Sequence, residues 1–198
     1  MWQDYARPWL TDLFSAGYLS YLAYLHIALV RAFFSPLASL HRLTAPLFNA
    51  FAAGLLGYLL VPAVGPAAAQ PDAFAAPLTG GTLTRINETV VSRGSSLYDV
   101  FPSLHVLVTC VLLDHDRRAA PRRFRLMLLP AGLLFTSTLY LRYHYAVDLA
   151  GGFALFLVLC GLRRISRKPA RYAQDAPAVA LVAVQAPCSA AASGGRCT

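Results

Sequence analysis

The sequence has few charged residues, and acidic residues are the scarcest of them. Asp, Glu, Lys and Arg make up 13% of its 198 residues, about half the share in a soluble domain. Hydrophobic residues make up 57%, and 9 acidic residues stand against 17 basic ones. So little charge argues against a single soluble domain. The composition and the apolar runs predict an all-α fold, a multi-pass transmembrane bundle of about five membrane helices.

Cysteine is also scarce, which excludes a disulfide scaffold. Two of the four cysteines, Cys110 and Cys160, lie in apolar runs, and Cys188 and Cys197 lie near the C-terminus. Their spacing matches neither a zinc site nor a disulfide framework. The expectation is therefore that the protein uses no metal and no cofactor.

The apolar runs are separated by short connections, except for one long connection over residues 67–100. Membrane helices are predicted over residues 13–34, 46–64, 102–115, 126–141 and 146–162. Tyr18, Tyr21 and Tyr24 in the first helix are expected at the membrane interface, where such rings are enriched. The predicted organisation is an N-terminal membrane helix and turn, a membrane core with a long polar loop over residues 67–100, and a basic, then Ala/Pro-rich tail that is expected to be disordered. These three parts cover residues 1–44, 45–165 and 166–198.

The basic residues are concentrated in two places, and this predicts the orientation. Five arginines lie in the 117–125 loop, and a second basic cluster begins at Arg163. Cytoplasmic loops carry an excess of Lys and Arg, so both clusters and the C-terminus are expected in the cytoplasm. The 67–100 loop then lies on the extracytoplasmic side of the cell membrane. The same argument explains the basicity without a nucleic-acid partner.

Two histidines stand where apolar helices are predicted to begin. His105 closes the stretch Phe101–His105, and His144 lies in the stretch Arg142–Asp148. Asp148 follows His144 by four residues, which on a helix places the two side chains on one face. A carboxylate there could hold one ring nitrogen of His144 and leave the other free to react.

The two stretches resemble the signature motifs of the type 2 phosphatidic acid phosphatase (PAP2) superfamily. Residues 102–105, Pro-Ser-Leu-His, match the motif Pro-Ser-x-His in full. Residues 137–148 resemble the motif Ser-Arg-x5-His-x3-Asp, with Thr138 in place of its arginine. The family's motif Lys-x6-Arg-Pro is absent. In lacking that motif, and in the His-Tyr-x-x-Asp pattern of residues 144–148, the sequence resembles the branch of the superfamily that contains inositol phosphorylceramide synthases.

The chemistry of phosphoryl transfer and this resemblance together imply the site. The implied enzyme acts on a lipid phosphate or phospholipid through a phosphohistidine, at the extracytoplasmic face and without a metal. His144 would be the nucleophile, Asp148 would fix its tautomer, and His105 would act as acid and base. The phosphate oxygens would be bound by Ser103, Arg142, Arg93, Arg85 and Ser137.

Three alternatives remain open from the sequence. The enzyme could hydrolyse its substrate, or transfer a phospho-headgroup to a lipid alcohol such as ceramide or diacylglycerol. The chain could instead be a non-enzymatic scaffold or lipid scramblase with an eroded site, since Thr138 departs from the motif. His105, His144 and Asp148 could also bind zinc, although no feature favours this arrangement. A homo-oligomer is left open.

Overall fold

The computed structural model describes residues 6–74 and 77–166, which fold into α-helices and connecting segments. These residues contain no β-strand; a single bridge pairs Ala63 with Asp99. The predicted all-α fold is confirmed. The helices are α1 (Pro8–Phe33), α2 (Leu37–Leu60), α3 (Pro66–Ala69), α4 (Thr82–Gly94), α5 (Leu104–Ala119), α6 (Pro121–Tyr140) and α7 (Ala146–Ser166).

Three of the helices are long and apolar enough to cross a membrane. They are α1, α2 and residues Ala146–Ile165 of α7, and they agree with a helical membrane bundle. α5 and α6 also correspond to predicted helices, but each has arginines at the end near the 117–125 loop. α2 begins nine residues before Pro46, where the second helix was expected to start, because the chain accommodates that proline inside the helix. The expected division at residue 44 therefore lies within α2.

The segment predicted as a polar loop contains regular structure. α3 and a 3-10 turn over Pro71–Phe74 follow α2, and the 13-residue α4 comes after them. Asp12 of α1 holds the start of α4, because its Oδ1 accepts hydrogen bonds from the backbone N–H groups of Gly81 and Thr84 and from the Thr84 hydroxyl. α4 is thereby anchored to the bundle.

α1 lies at the centre of the packing. It packs mainly against α6 and α4, whereas α2 packs mainly against α5. Tyr18, Tyr21 and Tyr24 are buried among the helices, so their rings contact protein instead of the exposed surface that an interfacial position predicted. Their rings face neighbouring helices: the Tyr24 hydroxyl donates to Asp116 at 2.8 Å, and Arg123 of α6 pairs with the same carboxylate. A ring can satisfy its hydroxyl inside the bundle when such a partner is available.

The chain divides into two compact units, Met1–Gly161 and Leu162–Thr198. The first unit contains every residue predicted for the site. Of the second unit the structure describes residues 162–166, the last residues of α7. The predicted disordered tail falls almost entirely on residues 167–198, which lie outside the described residues.

Candidate active site

The loop that carries His144 is shaped by the way α6 ends. Arg142 adopts a left-handed conformation with φ of 65°. Its N–H donates to the Leu139 carbonyl, and the N–H of Tyr143 donates to the Thr138 carbonyl. These two bonds are those of a Schellman motif, which closes a helix and reverses the chain. The N–H of His144 also donates to the Thr138 carbonyl, at 3.1 Å. The cap therefore fixes the backbone on which His144 stands.

The start of α5 is joined to the start of α7 by backbone contacts. Ser103 is the N-cap of α5, so the helix begins at Leu104, two residues later than the predicted start at Pro102. The Ser103 N–H donates to the Asp148 carbonyl at 3.0 Å. A Cβ on Gly152 would fall 2.5 Å from the Ser103 carbonyl oxygen, so only glycine allows this approach. The two predicted motifs are thus held together by the main chain.

The two histidines meet at this junction. His144 Nε2 lies 3.4 Å from His105 Nδ1, and His144 Nδ1 lies 3.6 Å from Asp148 Oδ2. The side chains of His144 and Asp148 are 4% and 3% exposed, respectively. Because α7 begins at Ala146, His144 precedes the helix, and the expectation that it shares a helix face with Asp148 is wrong. Asp148 Oδ2 instead accepts the Tyr145 N–H at 2.6 Å, as an acidic residue does in a capping box.

Two tyrosines of α1 surround His105. The ring centroids of Tyr18 and Tyr21 lie 4.7 and 4.8 Å from that of His105. Tyr18 also contacts Tyr143 edge-on, at 5.0 Å between centroids. These contacts pack the imidazole of His105 against α1. They were not predicted from the sequence, because the tyrosines were assigned to the membrane interface.

A cavity of about 750 Å³ opens beside the two histidines. His105, His144, Arg142 and Arg93 all line it. Arg85 is exposed on α4 and does not belong to its lining. Ser137 does not line it either, because its buried hydroxyl donates to the Leu134 carbonyl within α6. The structure therefore brings together two of the three predicted arginines.

Arg142 contacts the 3-10 turn above the cavity. Its guanidinium lies 4.7 Å from the centre of the Phe74 ring, and Nη1 donates to the Phe74 carbonyl at 3.4 Å. Burial lowers the pKa of Arg142 from its usual value, but an arginine stays charged near neutral pH. A cation is therefore available at the cavity wall next to His144.

The family of the chain is settled by comparison with known proteins. The sequence profile of the PAP2 superfamily matches residues 4–162. The chain belongs to the PAP2 superfamily. No curated protein and no solved structure matched the chain. PAP2 members are generally phosphoric ester hydrolases, and the family supports a phosphatase-type or phosphotransferase-type activity on lipid phosphates.

Thr138, which stands where the PAP2 motif has an arginine, has a structural role in this chain. Thr138 is fully buried, and its hydroxyl donates to the Phe135 carbonyl of its own helix. Its carbonyl receives the N–H groups of Tyr143 and His144. Thr138 therefore supports the His144 loop through its backbone and brings no charge to the site, whereas Arg142 does.

Some buried polar atoms near the PAP2 motifs have no hydrogen-bond partner within the described residues. They include Ser103 Oγ, His144 Nδ1 and Asn87 Oδ1. Asn87 lies on α4, and its Nδ2 donates to the Tyr143 hydroxyl at 3.0 Å. Burial raises the pKa of Tyr143 to about 12, so its hydroxyl is protonated at neutral pH. Asn87 was missed in the sequence because the residues around it were assigned to a loop.

Within residues 6–74 and 77–166, no group of three or more His, Cys, Asp or Glu side chains is arranged to hold a metal ion. The arrangement at the motifs is a pair of imidazoles, one carboxylate and a nearby guanidinium. Such a set can exchange protons and neutralise an anion.

Proposed function

We propose that the chain is an integral membrane enzyme that transfers the phosphoryl group of a lipid phosphate or phospholipid through a phosphohistidine at His144. The observation that carries the proposal is the His105–His144 pair, at 3.4 Å, on the wall of a cavity that also contains Arg142. Membership of the PAP2 superfamily supports the reaction class.

In the proposed reaction the lone pair on His144 Nε2 forms a bond to phosphorus, and the bond from phosphorus to the lipid oxygen breaks. His105 donates a proton to the departing oxygen. In the second half, His105 takes a proton from water, the water oxygen bonds to phosphorus, and the N–P bond breaks. Asp148, at 3.6 Å from Nδ1, would stabilise the positive charge that His144 acquires.

The spacing of the histidines indicates that the substrate separates them. In-line transfer requires phosphorus beside Nε2 and the departing oxygen beyond it. At 3.4 Å the two rings leave no space for that group. We therefore expect the phosphate to enter from the cavity and displace the His105 ring from Nε2.

The phosphate would be held by groups on the cavity wall and at the start of α5. Arg142 and Arg93 supply positive charge. The buried Ser103 hydroxyl, unpartnered within the described residues, and the first N–H groups of α5 supply donors. The predictions for Arg85 and Ser137 gain no support from their positions.

A second function is transfer of a phospho-headgroup to a lipid alcohol, as in the inositol phosphorylceramide synthase-like branch. The observation that favours it is the His-Tyr-x-x-Asp pattern of residues 144–148, which resembles that branch. In this function His105 would take its proton from the alcohol. Product formed only when ceramide or diacylglycerol is added would identify the transferase, and phosphate released in water alone would identify the hydrolase.

The catalytic test uses purified protein in detergent with chelator present. We expect phosphatidic acid, phosphatidylinositol or a polyprenyl diphosphate to be turned over by the natural protein, and His144→Ala to lower turnover by at least about a thousandfold. A labelled substrate should leave an acid-labile phosphate on the natural protein and none on His144→Ala. His41→Ala, an exposed histidine on α2, is the control and should be unchanged. Full activity in His144→Ala, or strict dependence on zinc, would refute the proposal.

A further inference from the structure

The cavity beside the histidines continues between α1 and α2. The two helices are joined by the short connection 34–36. The cavity is lined by residues 18–22 in the middle of α1 and by residues 51–58 in the second half of α2, away from that connection. α1 packs mainly on α6 and α4, and α2 mainly on α5. Their separate partners leave a space between them, which the main chain does not fill.

The two ends of this space differ in chemistry. The end at the motif loops presents His105, His144 and Arg142. The end between the helices presents Leu22 of α1 together with Phe51 and Leu55 of α2. Phe51 and Leu55 are four residues apart, so they lie on one face of α2. The cavity therefore joins a charged end to a hydrocarbon end.

The hydrocarbon end is open to the side of the bundle. Leu55 lines the cavity, yet 52% of its surface is exposed. In a helix that is long and apolar enough to cross a membrane, such an exposed face meets lipid chains. A lipid could therefore place its phosphate at the histidines while its chain stays in an apolar environment, which avoids the cost of exposing hydrocarbon to water.

We infer that the hydrocarbon chain of the lipid substrate lies between α1 and α2, against Leu22, Phe51 and Leu55. This inference rests on the proposed function, because it is the phosphate site at His144 that fixes where the chain begins. Other apolar surfaces are less suited. Phe153 and Leu157 of α7 are exposed, but they do not line the cavity.

Enlarging Leu55 tests the inference by kinetics. A tryptophan there fills the space that the chain would occupy. We expect Leu55→Trp to lower kcat/KM for dioleoyl phosphatidic acid by about tenfold or more, and for the dihexanoyl lipid by less than about twofold. Leu56→Trp is the matched control, since Leu56 is 54% exposed and does not line the cavity. Equal effects of Leu55→Trp on both lipids, or equal effects of both variants, would overturn the inference.

Photocrosslinking tests the inference without turnover. The full chain in nanodiscs is illuminated with phosphatidic acid that carries a diazirine on its acyl chain, and the labelled peptides are identified by mass spectrometry. Competition with unlabelled phosphatidic acid removes the background from bulk lipid. We expect competed labelling on α1 and α2 in the natural protein and in His144→Ala. Competed labelling on α6 or α7 instead, or none at all, would refute the inference. Competed labelling on α1 and α2 of the natural protein, combined with no turnover of any of the three lipids by that same protein, would refute the proposed function alone.

Discussion

Arg142 combines an unfavourable backbone conformation with a favourable position. A left-handed φ in a non-glycine residue costs free energy, and glycine is the usual residue at this position of a Schellman motif. Here the position carries a guanidinium that lines the cavity. Strain that a simple substitution could relieve is often found at functional sites. The sequence motif did not indicate that Arg142 has a left-handed conformation, because its φ depends on how α6 ends.

Replacing Arg142 by glycine should therefore separate stability from activity. Arg142→Gly and Arg142→Ala both lose the cation and its contact with Phe74, and both should lower kcat/KM by about a hundredfold. Only glycine relieves the backbone, so we expect it to be more stable than Arg142→Ala by about 1 kcal/mol. Denaturant unfolding in detergent and steady-state kinetics measure the two effects. Full activity in Arg142→Gly would remove the guanidinium from the site.

At the scale of elements, α4 shows where sequence patterning is insufficient. The five long helices were predicted because apolar runs identify them. α4 was not, because its segment is polar overall and was assigned to a loop. Leu83, Ile86, Val90 and Val91 do recur at helical spacing. That pattern does not indicate the buried face, however, because Leu83 and Ile86 are exposed whereas Thr84 and Asn87 are buried. The same limit applies to Tyr18 and Tyr21, whose burial depends on their contacts with His105.

The pair formed by Asn87 and Tyr143 gives a test of α4 as a positioning element. Asn87→Ala and Tyr143→Phe each remove their mutual hydrogen bond, and Tyr143 immediately precedes His144. Each single variant should lose about 1 kcal/mol of transition-state stabilisation, and the double variant should lose no more than the larger single loss. Ser92→Ala, on the exposed side of α4, is the control. Additive losses in kcat, or losses confined to thermal stability, would show that the pair does not position the site.

At the scale of the whole molecule, the two PAP2 motifs lie next to each other in space, because each motif precedes a helix and the starts of those two helices are in contact. His105 begins α5 and His144 precedes α7, and the main chain joins these two helix starts through Ser103 and Asp148. The fold class could be predicted from the apolar runs, and the family from the two motifs. The cavity was not, because it arises from the different packing partners of α1 and α2. No local pattern describes such an arrangement.

The orientation of the bundle remains a proposal that the charge distribution supports. His105 and Arg118 lie at opposite ends of α5, separated by about 20 Å along its axis. If the 117–125 loop is cytoplasmic, the cavity opens on the extracytoplasmic side. Ser96→Cys, at the cavity, and Arg122→Cys, in the loop, can be compared in sealed right-side-out vesicles. Both are built with Cys188 and Cys197 changed to serine. A membrane-impermeant maleimide should label Ser96→Cys directly and Arg122→Cys only after permeabilisation. The reverse order would place the proposed active site in the cytoplasm, where the proposed lipid phosphate would then have to be supplied.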